Sequence, residues 1–120
     1  MRADMLTSIL TELNGTSADI EASGVISTDG LIMASVLPAG MDEDRVGAMS
    51  AAMLSLGDRT AQELNRGNLE QVLIKGIKGY VVMTYAGNEA VLTVLAKPNA
   101  KLGLIFLDVK RAAESISEML

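Results

Sequence analysis

Three short turns constrain this chain more than any other feature. Asp29-Gly30, Gly76-Ile77-Lys78-Gly79 and Gly87-Asn88 each separate two apolar stretches by only a few residues. A parallel pair needs a crossover of a dozen residues or more, so strands joined this tightly run antiparallel. The first pair lies within residues 20–37, with Asp29-Gly30 suited to a tight primed turn. Asp29 is an acid, but in an Asp-Gly pair its turn-forming role is the stronger reading. Three more strands follow Gly67, over residues 69–75, 80–85 and 90–96. Val72-Leu73-Ile74, Val81-Val82-Met83 and Val91-Leu92-Thr93-Val94-Leu95 are apolar on successive residues, the pattern of strands covered on both faces.

The covering layers are legible as helices. Between the strand groups a long helix is predicted over residues 41–66, opened by Asp42, Glu43 and Asp44 and closed by Asn65 and Gly67. Val46, Met49, Met53, Gly57, Thr60 and Leu64 recur at steps of three or four, with Ser50, Leu54, Leu56 and Ala61 widening the stripe expected to face the sheet. Gly47, Ala48, Ala51, Ala52 and Ser55 occupy the other side, where charges are normally found. Small residues there suit close approach by a neighbour, or equally close packing within the domain. An N-terminal helix carries Leu6, Ile9, Leu10 and Leu13 on one face and is expected to stop at Asn14-Gly15. A last helix carries Leu102, Ile105, Val109, Ala112, Ala113, Ile116 and Met119, with Asn99 as its expected N-cap. The order is helix, two strands, helix, three strands, helix. It predicts a single α+β domain over residues 1–120: a five-stranded antiparallel sheet between one long helix and two terminal helices, a profilin-like arrangement.

The residues point away from an enzyme. The chain has no cysteine and no histidine, which removes thiolate chemistry, the usual general base and the commonest metal ligand. Gly76 to Gly79 sits near Lys75 and Lys78, but it joins two strands without opening a helix, so it is no phosphate loop. The methionines at 33, 49, 53 and 83 fall on core stripes, where pliable packing explains them. No cofactor or metal is expected. A net charge of −5 argues against nucleic acid or an anionic membrane surface as partner. No apolar run approaches membrane-spanning length, and without an export signal Asn14-Gly15-Thr16 reads as a helix stop instead of a glycosylation site. A cytoplasmic location follows as the expectation.

A resemblance adds to this reading. The element order, the segment Gly24-Val25-Ile26-Ser27-Thr28-Asp29-Gly30-Leu31-Ile32-Met33-Ala34-Ser35 and the ending Asn99-Ala100-Lys101-Leu102-Gly103-Leu104 resemble the roadblock family, the dynein-light-chain-type domain. Met49-Ser50-Ala51-Ala52-Met53 followed by Leu56-Gly57 is similar to the long helix of its prokaryotic members. The resemblance implies a non-enzymatic homodimer that binds a Ras-like small GTPase and modulates its activity or location. It places Leu69, Gln71, Val72, Leu73, Ile74 and Leu54 at the dimer interface, where the strand over residues 69–75 meets its twofold mate. Ala48, Ala51, Ala52, Ser55 and Arg59 become the candidates for GTPase contact. Arg45, Arg59 and Arg66 lie on or beside the helix as conceivable arginine fingers, though exposed helix arginines are usually just solvated. Two other classes stay open: a ligand-sensing module of similar sheet architecture, and a structural dimer adaptor without a GTPase.

Overall fold

A computed structural model describes residues 2–120, so Met1 of the predicted first helix lies outside the described residues. The elements are α1 (Arg2–Thr16), β1 (Ile20–Ser27), β2 (Ile32–Val36), α2 (Glu43–Glu63), β3 (Gln71–Gly76), β4 (Gly79–Ala86), β5 (Ala90–Ala96) and α3 (Leu102–Met119). The strands form one sheet in the order β2-β1-β5-β4-β3, with every neighbouring pair antiparallel. The predicted fold class is therefore observed.

Each face of the sheet carries its own core. On one face α1 and α3 set Leu6, Leu10, Ile105, Val109 and Ile116 against Val25, Val82, Leu92 and Val94. On the other, Leu54 of α2 packs against Ile26, Met83 and Val91. Adjacent residues such as Val91 and Leu92 thus enter different cores, which is why the strand sequences do not alternate.

Local chemistry sets most boundaries of α2. The Asp42 carboxylate accepts from the backbone N–H groups of Asp44 (3.0 Å) and Arg45 (3.3 Å), capping the helix start. At the other end Asn65 takes a left-handed φ of 58°, and Arg66 N–H donates back to the Ala61 carbonyl at 2.7 Å. Three expectations need correction. Helix α1 continues through Asn14-Gly15, because the Asn14 side chain accepts from Ser23 Oγ of β1 (2.7 Å) and is held by tertiary structure. The cap of α3 is Lys101, since Asn99 sits inside a turn closed by Ala100 N–H on the Lys97 carbonyl. The Asp29-Gly30 turn is not a primed two-residue turn: only Gly30 has positive φ, and its N–H donates to the Ser27 carbonyl at 2.9 Å. An extra residue in β2 accompanies it, because Val25 pairs Ala34 while Ile26 pairs Ile32, leaving Met33 as a bulge.

One close approach seats the long helix. A Cβ on Gly47 would stand 2.5 Å from the Gly30 carbonyl oxygen, so the first turns of α2 ride directly on the β1–β2 turn. Alanine there gains roughly 1 kcal/mol of helix propensity but forces a backbone shift costing about 1–3 kcal/mol. Gly47→Ala is expected to lower the urea midpoint with an unchanged denaturant slope. A raised midpoint would show that α2 can lift from the turn without loss.

Candidate functional site

The sheet has two edges, and they differ. The β2 edge is short, interrupted by the Met33 bulge and followed closely by Pro38, devices that discourage strand addition. The β3 edge is regular: Gln71 through Gly76 pair with β4 without a register shift, and the outward backbone groups have no strand beside them. Leu73 and Ile74 are 42% and 37% exposed on this edge. A regular, apolar, open edge is a template for another strand.

The long helix extends this surface. Its C-terminal half lies over β3, since a Cβ on Gly57 would touch Val72 (3.0 Å) and Leu69 (3.1 Å), and Met53 packs with the same side chains. Asp58 fixes the approach by accepting from Leu69 N–H at 3.2 Å. Burial, and secondarily the Asp58 carboxylate, push the Tyr85 phenol above its ordinary pKa, keeping this neighbour neutral. At about 100° per residue, the flank holding Gly57 and Met53 also holds Met49, Leu56, Thr60 and Leu64. Met49 and Leu56 are each 60% exposed. The opposite flank is set by Gly30, which lies against Ala48 and Ala51. That flank continues through Ala52, Ser55 and Arg59.

Several predicted positions therefore change place. Leu54, expected at a dimer interface, is 1% exposed and points straight at the sheet, inside the protomer. Leu69 and Val72 are half-buried beneath α2, while Gln71, Leu73 and Ile74 are exposed. Met49 and Leu64 do not face the sheet as expected. The sheet-facing row is Gly47, Ser50 and Leu54, one position out of phase with Val46, Met49 and Met53. Ser50 belongs there because its hydroxyl accepts from buried Thr93 Oγ1 at 2.7 Å, tying α2 to β5. Ala48, Ala52, Ser55 and Arg59 are exposed and Ala51 is half-buried. Arg59 pairs with Glu63 at 3.5 Å, and Arg66 Nε donates to the Leu64 carbonyl, so both guanidinium groups have partners in their own protomer. Sequence reasoning missed the flank of Met49 and Leu56, and also Ile77 at the β3–β4 turn, 99% exposed. The signal present was their spacing, seven residues apart between Met49 and Leu56, but it matched a core stripe equally well.

Comparison with known proteins bears on the family and the fold. The Roadblock/LC7 domain model matches residues 6–96. The chain belongs to the Roadblock/LC7 family. Among roadblock relatives, the uncharacterized protein MJ1340 of Methanocaldococcus jannaschii is 44% identical over 96% of this chain and 99% of its own. A solved structure of MglB with a tetrameric arrangement superposes with a TM-score of 0.89 at 20% identity, covering 98% of this chain and 89% of that one. The roadblock fold also overlaps profilin II of Acanthamoeba castellanii, with a TM-score of 0.64 at 20% identity over 93% and 95% of the two chains. Among the described residues no group of acids could hold a metal ion, and no helix is long and apolar enough to cross a membrane.

Proposed function

We propose that this roadblock protein is a cytoplasmic homodimer that binds a Ras-like small GTPase and controls its activity or location. The observation that carries this reading is the exposed apolar edge itself: Ile74 of β3 shares the α2 face with Met49 and Leu56, and Leu73 lies on the other face of the same open edge. Pairing two β3 edges about a twofold axis satisfies the outward backbone groups and covers both apolar rows together. The two α2 helices then lie side by side on one face of a ten-stranded sheet. Their outward flanks, Ala48, Ala51, Ala52, Ser55 and Arg59, remain for the GTPase. Small side chains there let a partner's backbone approach closely, and Arg59 with Glu63 forms a polar rim. The protein acts on the GTPase by binding it, as activator or as adaptor.

The test separates the two flanks. Ala52→Arg is expected to leave the dimer mass unchanged in light scattering. The same variant should weaken binding to the cognate GTPase, chosen from the Ras-like GTPases of the same organism, by about ten- to a hundredfold. Undiminished GTPase binding would remove this flank from the contact. A dimeric wild type that binds none of them would favour a purely structural adaptor.

A further inference from the structure

On the face opposite α2, helices α1 and α3 leave the outer strand uncovered. A groove of about 740 Å³ results, open to solvent. Its floor is Gln71 and Thr84, paired across β3 and β4, and its wall is the α3 row Phe106, Val109 and Ala113. Three carboxylates, Glu70, Glu114 and Glu118, rim it against a single cation, Lys110. Apolar wall and acidic rim together suit an apolar residue followed by a cation.

The chain itself carries such a pair at the other end of β3. Ile77 and Lys78 form the tip of the β3–β4 hairpin, and Ile77 touches almost nothing in its own protomer. Antiparallel self-pairing sets residues from opposite ends of a strand against one another. With the twofold axis anywhere from Val72 to Ile74, Ile77 of one copy stands opposite residues 67–71 of the other. That is the end of β3 that borders the groove, where Leu69, Glu70 and Gln71 line it. Strand alternation puts Gln71, Leu73 and Lys75 on the groove's face, and Ile77 follows directly in the turn after Gly76. Lys75 confirms the face, since its ammonium lies 6.0 Å over the Tyr80 ring.

We infer that the hairpin tip of each copy closes the groove of the other, setting Ile77 against Ala113 and Lys78 among Glu70, Glu114 and Glu118. The inference rests on the twofold β3 pairing proposed above. It makes each groove a composite of both copies, so the surface opposite the paired α2 helices also depends on dimerisation.

A charge-reversal cycle with cross-linking tests it. Ile77→Asp alters a fully exposed side chain, so the fold should be retained by circular dichroism while the dimer dissociation constant rises tenfold or more. Lys78→Glu should weaken the dimer and Glu114→Lys, added to it, should restore affinity. Because the natural chain has no cysteine, an Ile77→Cys/Glu114→Cys variant treated with a short bis-maleimide should yield covalent dimers on denaturing gels. A wild-type dimer whose affinity is untouched by Ile77→Asp, and whose cysteines do not cross-link between copies, overturns this inference and leaves the β3 pairing standing. A wild-type monomer overturns both.

Discussion

Ile74→Lys is expected to turn a dimeric wild type into a folded monomer at micromolar concentration. Ile74 is on the α2 side of the β3 edge, beside the flank of Met49 and Leu56, and is already partly exposed, so lysine fits the isolated protomer. In a twofold interface one substitution acts twice. Burying a whole isoleucine is worth about 1.5–3 kcal/mol, and the dimer can bury only the 37% of Ile74 still exposed, so two copies lose about 1–2 kcal/mol before like-charge repulsion and lysine desolvation are counted. That alone raises the dissociation constant by roughly one order of magnitude, and the charge terms add to it. Light scattering across a dilution series reads the mass, and urea unfolding of the dilute variant checks that the protomer survives. A variant that stays dimeric at the lowest concentration would mean that β3 is not the paired edge. Val72→Lys is a poorer probe: Val72 packs beneath α2 against Gly57, so its loss is expected to destabilise the protomer as well.

Leu54→Ala should produce the largest stability loss of any single change in α2. Leu54 is fully enclosed by Ile26, Met83 and Val91, and no other fully buried large side chain comes from this helix. Truncating a buried leucine leaves a cavity and costs about 2–5 kcal/mol. Against a total stability of about 5–15 kcal/mol, that lowers the melting temperature by roughly 10–20 °C. Dimerisation adds its own stabilisation by mass action, so the comparison belongs at one protein concentration, and best in the Ile74→Lys background. The same loss in monomeric and dimeric backgrounds would confirm that Leu54 acts inside the protomer. A loss seen only in the dimeric background would return Leu54 to the interface.

The elements themselves were legible because their signals are local. Asp-Gly and Gly-Asn turns, the acids Asp42, Glu43 and Asp44 and the left-handed Asn65 act within a few residues of chain. Where a distant partner outbid the local signal, the reading slipped: Ser23 drew Asn14 into α1, and the Gly30 turn traded a primed geometry for a bulge at Met33. The candidate surface was legible in part. Val72-Leu73-Ile74 announced a strand that needs company, and Ala48 to Ser55 announced a helix side without charges.

By itself, then, the chain determined its element order and its antiparallel sheet, since these follow from turn length and hydrophobic period. Tertiary structure alone decided which apolar row of α2 became core and which stayed outside. Gly47 on Gly30, Gly57 on Val72 and the Ser50–Thr93 hydrogen bond rotate the helix so that Leu54 enters the sheet while Met49 and Leu56 remain exposed. A helical period gives the width of an apolar face, but its rotation is set by the few places where backbones must touch. Which sheet edge stayed regular was likewise decided in three dimensions, by the bulge at Met33 in β2.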